Sequence, residues 1–297
     1  MKSTKNCGGI LAYGIPKFRL PRDILERTIN KITSIPGIKV ENNKELGKNF
    51  NLQELSNNND AVFLAIGSNI SSKMNIEGEE LEGVYGANEL LENKVFPDFK
   101  NKKVAVIGGG NVAIDAARTI KRLGAKETYI IYRRAEEQMP AEKKEIEEAK
   151  KEKIEFLFQN NIVKIIPKNN EKKVEKIECI KTKLVQKEGK RPSPVDIEGS
   201  NYLLDMDYVI MAIGSKTEEN ILKKQGIELN EKGYIKVDEN YKTNIENVYA
   251  GGDVIGTKAT VAWAAKTGRN VAGVIKDIWG RVKFVLYIIH KYESYKK

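Results

Sequence analysis

Val104-Ala105-Val106-Ile107-Gly108-Gly109-Gly110-Asn111-Val112-Ala113-Ile114-Asp115 carries the reading of the fold. A continuous apolar run passes through a G-x-G-x-x-A loop into a helical pattern that lasts to Leu123, and a second β-prone run, Thr128-Tyr129-Ile130-Ile131-Tyr132, follows. Strand, glycine loop, helix and strand at this spacing predict a βαβ unit built to hold a dinucleotide. Gly108 permits the tight turn, Gly110 has no side chain to keep the backbone away from a pyrophosphate, and Ala113 is small enough for close helix–strand packing. The helix N-terminus supplies unpaired N–H groups that suit an anion.

The end of the second strand discriminates between nucleotides. An acidic residue there would accept hydrogen bonds from the adenosine ribose, but the sequence reads Tyr132-Arg133-Arg134. Two guanidiniums match a 2′-phosphate in charge and in fork geometry, which favours NADP(H) over NAD(H). The competing reading is a solvent-exposed arginine pair that merely ends a strand.

Outward from this unit, a charged helix near residues 142–151 leads to Ile154-Glu155-Phe156-Leu157-Phe158 as a third parallel strand. From Ile162 to about Tyr202, short β-prone pieces broken by Lys168-Asn169-Asn170 and Lys187-Glu188-Gly189-Lys190 read as an antiparallel meander. A near-repeat frames the whole: Ala61-Val62-Phe63-Leu64-Ala65-Ile66-Gly67-Ser68 returns as Tyr208-Val209-Ile210-Met211-Ala212-Ile213-Gly214-Ser215. Apolar runs of this kind suit strands buried on both faces of a parallel sheet, and two of them suggest two sheets of related design. The expected fold is therefore α/β, with two Rossmann-like dinucleotide-binding domains. Residues 98–215 form an NADPH domain inserted into a second domain made of 1–97 and 216–280, and 281–297 is an amphipathic or frayed tail.

Bulk properties narrow the function classes. No run reaches the roughly 20 apolar residues needed to span a bilayer, and Met1-Lys2-Ser3-Thr4-Lys5-Asn6 lacks the apolar core of a signal peptide, so a cytoplasmic location is expected. Cys7 and Cys179 stand far apart with no histidine cluster nearby, which predicts no metal or iron–sulfur site within the chain. The formal charge of +10 is spread over lysines interleaved with glutamates, as in Glu142-Lys143-Lys144-Glu145. That pattern reads as solvated helix surface, without the aromatic-interleaved basic stripe of a nucleic-acid binder. A single histidine argues against histidine acid–base chemistry.

Near the other end, Thr243-Asn244-Ile245-Glu246-Asn247-Val248-Tyr249-Ala250-Gly251-Gly252-Asp253 sets a short strand against a Gly-Gly-Asp turn, with a helix expected over 260–275. This stretch resembles the C-terminal flavin motif of two-dinucleotide, disulfide-reductase-like flavoproteins. The segment Gly8-Gly9-Ile10-Leu11-Ala12-Tyr13-Gly14-Ile15-Pro16-Lys17-Phe18-Arg19-Leu20-Pro21, the glycine loop extended to Arg118, and Tyr132-Arg133-Arg134 followed by Met139-Pro140-Ala141 narrow the resemblance to the glutamate synthase (NADPH) small-subunit family and its relatives. By that resemblance Gly8, Gly9, Arg19, the Leu46 backbone, Gly252, Asp253, Thr260 and Val261 contact FAD, with Asp253 on the ribityl chain. Gly108, Gly109, Gly110, Asn111, Val112, Ala113, Arg133, Arg134, Ala212 and Ile213 line the NADPH site.

The resemblance implies an NADPH-dependent FAD oxidoreductase in which hydride passes from NADPH to FAD and electrons continue to a partner. The implied partner is a glutamate synthase large subunit or a ferredoxin-type electron-transfer subunit. No catalytic acid, base or nucleophile from the chain is expected. In the family an iron–sulfur-binding cysteine region and a first G-x-G-x-x-G loop precede the equivalent of Gly8-Gly9, and their absence here predicts an N-terminally incomplete FAD domain. A fragment, a split gene product or a truncated reading frame would fit, as would a separate N-terminal FAD/iron–sulfur polypeptide. The alternatives are the NADPH-binding subunit of a ferredoxin:NADP oxidoreductase, or an NADPH-binding module without activity.

Overall fold

A computed structural model describes residues 7–279, apart from 43, 94–95, 170, 187–188 and 190. The tail expected over 281–297 lies outside the described residues. In chain order the elements are α1 (Ile10–Tyr13), α2 (Arg22–Thr33), α3 (Leu52–Asn58), β1 (Val62–Leu64), β2 (Ile70–Ser71), β3 (Val84–Gly86), α4 (Ala87–Asn93) and β4 (Lys103–Ile107). There follow α5 (Asn111–Arg122), β5 (Glu127–Tyr132), a 3-10 turn (Glu136–Gln138), α6 (Lys143–Lys151), β6 (Glu155–Phe158), β7 (Asn160–Pro167), β8 (Val174–Val185) and β9 (Ser193–Asp196). The chain continues through β10 (Tyr202–Asp205), β11 (Tyr208–Met211), β12 (Ser215–Lys216), α7 (Glu219–Lys224), β13 (Val248–Ala250), a 3-10 turn (Gly252–Ile255) and α8 (Val261–Trp279).

These elements gather into two compact units, one from residues 13–16 and 70–215, the other from the remaining segments, up to 12, 17–69 and from 216 onward. The first is built on a five-stranded sheet in the order β3-β11-β4-β5-β6, parallel throughout. Alternation along β4 shows why its sequence is apolar without a break. Val104 and Val106 face a core shared with α4, α5 and α6, while Ala105 and Ile107 face a second core shared with β7 and β8. A strand covered on both sides has no polar face to offer. The covering layer over the second face is antiparallel, β10-β8-β7 with β9 paired to β8, as the meander reading expected.

Helix α5 fills the first face with Ala113, Ile114, Ala116, Ala117 and Ile120. Its one buried cation, Arg118, is matched by Glu145 and by Glu152, whose Oε1 lies 2.8 Å from Arg118 Nη2, so α5 and α6 are joined by charge as well as by packing. The sequence predicts this unit from 98, whereas β3 pairs with β11 in the register Val84↔Val209 to Gly86↔Met211 and brings the segment from residue 70 with it. A three-residue strand carries too little periodicity to be separated from the loops around it.

In the other unit, β1 and β13 pair in parallel, Val62↔Val248 to Leu64↔Ala250. One side packs Leu64, Val248 and Ala250 against Leu52, Leu55 and Leu222 of α3 and α7; the other sets Tyr249 and Phe63 against Val271 and Ile275 of α8. Helix α3 starts with a capping box in which the Asn51 side chain accepts from the Glu54 N–H and Glu54 returns the bond to the Asn51 N–H. The near-repeat of the sequence thus contributes one buried parallel strand, β1 or β11, to each unit. Each copy closes on a glycine with positive φ, Gly67 at 69° and Gly214 at 119°.

Candidate functional site

The Gly108 loop leaves the carboxyl end of β4 between its two neighbours. The Gly108 N–H donates to Ile131 O at 3.0 Å, and the Ala212 N–H donates to Ile107 O at 2.8 Å. Gly108 has φ +143°, and a Cβ built on it would lie 2.2 Å from Ala212 O; a Cβ on Gly109 would lie 2.6 Å from the Tyr132 ring. These two glycines are required by the protein's own packing. Gly110 differs, since nothing stands closer to its Cβ position than Pro140 Cγ at 4.0 Å.

Gly110 is also the N-cap of α5 and has no side chain to cap the helix. The first turn of α5 therefore presents backbone N–H groups with no capping side chain, beside a position where the chain leaves open space. This cradle fits a pyrophosphate. Ala113 is fully buried and Val112 half-buried against the core, while the Asn111 Oδ1 accepts the Glu142 N–H at 3.0 Å. Together with the Ala141 N–H bond to Gly109 O at 3.2 Å, this ties the Met139-Pro140-Ala141 segment to the loop.

The arginine pair stands at the end of β5. Arg133 is exposed, and its carbonyl accepts from Thr182 Oγ1 at 2.9 Å. Arg134 is half-buried; its Nε donates to Pro192 O at 3.1 Å, leaving both terminal nitrogens beyond that bond. Ala212 is buried and Ile213 exposed at the neighbouring end of β11. The structure adds a residue that the sequence reading did not single out. Arg191, in the connection between β8 and β9, donates through Nη2 to Tyr132 Oη at 2.9 Å and also to Gln138 O. Tyr132 Oη donates to the same carbonyl at 2.7 Å. Arg191 lies 59 residues from Tyr132 in sequence, inside a lysine- and glycine-rich stretch that reads as a turn, and only the Arg191-Pro192 step hints at a fixed position there.

In the other unit, Asp253 is the second residue of the 3-10 turn after β13. Gly251 could not carry a side chain, because its Cβ would lie 2.9 Å from the Phe63 ring; Gly252 has φ +75° and donates its N–H to Thr267 Oγ1 at 2.8 Å. The Asp253 Oδ1 atom is buried without a hydrogen-bond partner, and burial raises its carboxyl above the ordinary aspartate value. An orphaned acceptor of this kind fits the hydroxyl of a polyol such as the ribityl chain of FAD. Thr260 and Val261 are exposed at the start of α8, where Thr260 Oγ1 accepts the Trp263 N–H at 3.4 Å.

The remaining residues singled out from the sequence have other surroundings. Gly8 and Gly9 have positive φ, 124° and 50°, and start α1; a Cβ on Gly8 would meet Ile29 and Ala12, while Gly9 is open. Arg19 is half-buried. Leu46 is buried in the core beside α7, at the edge of an open cavity of about 380 Å³ that Glu45, Lys48, Glu218 and Lys224 also line. The glycine loop, Ala212, Tyr132 and the arginines thus converge, whereas Gly8-Gly9, Leu46 and Asp253 occupy separate surroundings within their unit.

Parallel strands that end in a glycine loop in one unit, and in a carboxylate-bearing turn in the other, define an α/β protein of the Rossmann-like dinucleotide-binding class. The sequence profile of the pyridine nucleotide-disulphide oxidoreductases matches residues 8–268, and the chain belongs to that family. It is 35% identical over 273 residues to the NADP(+)-dependent formate dehydrogenase subunit beta of Moorella thermoacetica, covering 89% of this chain and 38% of that one. It is 32% identical over 290 residues to the glutamate synthase [NADPH] small chain of Escherichia coli, with 91% of this chain and 61% of that one covered. Identity to the NADPH-Fe(3+) oxidoreductase subunit beta of Geobacter sulfurreducens is 38% over 215 residues, 70% of this chain and 31% of that one. The chain therefore spans only part of the length of these relatives. Among solved structures, FprA of Mycobacterium tuberculosis in complex with NADPH superposes with a TM-score of 0.79 at 21% identity, covering 91% of this chain and 75% of that one. Thioredoxin reductase of T. acidophilum gives 0.63 at 20% identity, with 92% and 88% covered. Among the described residues, no helix is long and apolar enough to cross a membrane.

Proposed function

We propose that this chain is the NADPH- and FAD-binding part of a flavoprotein oxidoreductase resembling the glutamate synthase small chain, which delivers electrons to a partner subunit. The observation that carries this reading is the Gly110 cradle, where nothing stands closer to a Cβ position than Pro140 Cγ at 4.0 Å, on a loop that follows β4, the strand paired with the β5 that ends at Arg133 and Arg134. When bound, the nicotinamide supplies a hydride and the flavin accepts it. The chain's own residues bind and orient. Gly108 and Gly109 hold the loop's shape, Gly110, Asn111 and Val112 bring the start of α5 to the pyrophosphate, and Ala113, buried with its N–H bonded to the Gly110 carbonyl, lets the helix pack closely on the sheet. Arg133 and Arg134 hold the 2′-phosphate, and Ala212 and Ile213 line the site beside them. Gly8, Gly9, Arg19, the Leu46 backbone, Gly252, Thr260 and Val261 contact the flavin nucleotide, and Asp253 accepts a ribityl hydroxyl on its orphaned oxygen. Reactions of this kind depend on the placement of two rings more than on a protein acid or base.

A partner subunit is supported by the names of the relatives, each a small chain or a beta subunit. The glutamate synthase large subunit is the acceptor this reading favours. A second reading, delivery to a ferredoxin-type or other iron-dependent acceptor, is favoured by the likeness to the NADPH-Fe(3+) oxidoreductase subunit. The test is a visible absorption spectrum of the purified chain after incubation with FAD and desalting, followed by anaerobic addition of NADPH or NADH. A retained flavin band that bleaches faster with NADPH is the expected result. A protein that binds neither nucleotide overturns the reading.

A further inference from the structure

We infer that Arg191 is a third specificity residue of the nucleotide site, holding the 2′-phosphate together with Arg133 and Arg134; the inference rests on the NADPH reading above. Its basis is how the connection between β8 and β9 is fastened to the end of β5. Two adjacent residues of that connection are pinned there independently. Arg191 Nη2 donates to Tyr132 Oη and to the Gln138 carbonyl, and the Pro192 carbonyl accepts from Arg134 Nε. Tyr132 is also the ring that closes over Gly109, so the guanidinium of Arg191 is moored to the same side chain that shapes the glycine loop.

Charge supports the placement. None of these bonds to Arg191 is to a carboxylate; both acceptors are neutral oxygens, as is the acceptor of Arg134. Arg133 and Arg134 follow Tyr132 in the chain and Arg191 is bonded to the Tyr132 side chain, so a dianionic phosphate bound there would match their charge and accept N–H groups outside the bonds already made. The mooring uses Nη2 of Arg191 and Nε of Arg134, so Nε and Nη1 of the former and both terminal nitrogens of the latter lie outside these bonds. A side chain fixed in advance also loses less conformational freedom when it binds.

The probe is 2′,5′-ADP, which carries the 2′-phosphate without the nicotinamide, with 5′-AMP as the ligand lacking it, and calorimetric titration of the full chain as the measurement. Arg191→Ala is expected to weaken 2′,5′-ADP roughly tenfold or more, the range of a hydrogen bond to a charged group, and to leave 5′-AMP unchanged. Arg191→Lys recovers part of the loss, because it keeps the charge without the fork. Tyr132→Phe keeps the ring over Gly109 but removes one of the two bonds that hold Arg191, and it weakens 2′,5′-ADP selectively, by less than Arg191→Ala. Arg133→Ala and Arg134→Ala serve as the reference. If they abolish selectivity and Arg191→Ala does not, Arg191 is only a hairpin anchor and the inference is overturned while the NADPH reading stands. Equal weakening of both ligands by Arg191→Ala overturns it as well. If wild type does not prefer 2′,5′-ADP over 5′-AMP, the NADPH reading fails and the inference with it.

Discussion

Three consecutive glycines occupy the loop after β4, yet they are glycines for different reasons. At Gly108 a methyl group meets the Ala212 carbonyl oxygen at 2.2 Å and the backbone has φ +143°. Gly108→Ala is therefore expected to lower stability by about 2 kcal/mol or more, seen as a lower denaturation midpoint, as well as nucleotide affinity. At Gly110 the nearest atom is 4.0 Å away and φ is −90°, which alanine adopts freely. Gly110→Ala is expected to keep the melting temperature within about 2 °C of wild type while weakening dinucleotide binding at least tenfold, because only the ligand needs that space. Equal destabilisation by the two substitutions would refute this division. The loop was legible in the sequence because spacing within one segment encodes it. Arg191 was not, because its meaning lies in a long-range contact, and neither its neighbours nor its periodicity mark it.

Helices and strands long enough to repeat were legible too. Helix α5 shows its apolar stripe, β11 and residues 104–107 of β4 are continuous apolar runs, and β5 and β6 are rich in β-branched and aromatic residues. What escaped was β3 with the segment leading into α4, and with them the true start of the nucleotide-loop unit. Helix α4 also carries a property that no pattern reveals. Burial, with the nearby Glu89 carboxylate adding to it, pushes the Glu92 carboxyl from 4.5 up to about 7. Because the folded value exceeds the unfolded one, the contribution of Glu92 to stability is complete below about pH 4.5 and is lost as pH rises through about 7. Glu92→Gln removes the titration. It is expected to raise stability on the order of 2 kcal/mol at pH 8 and to change little at pH 4.5, as read by urea denaturation at both values. A gain of the same size at both pH values would show that the cause is not the charge.

At the scale of the whole molecule, each unit has cores of its own. Val106, Ile114 and Ile130 belong to one unit, and Leu52, Leu64 and Leu222 to the other. Chains of this kind depart from two-state unfolding. Scanning calorimetry is expected to show two transitions, and NADPH at a hundred times its dissociation constant is expected to stabilise one of them by about 2.7 kcal/mol. A single transition that shifts as a whole would refute this independence. The division into parallel sheets with an antiparallel cover was legible because buried parallel strands, polar-broken meanders and glycine turns each have their own sequence texture. The convergence of distant residues on the end of β5 became visible only in three dimensions. That convergence has an evolutionary corollary. Gly108 and Gly109 are locked by contacts with Ala212 and Tyr132 and tolerate almost no drift, whereas Arg191 is exposed and held through one nitrogen. On the inference that Arg191 holds the 2′-phosphate, the choice of reductant can be altered at that one exposed position while the motif by which such proteins are recognised stays untouched.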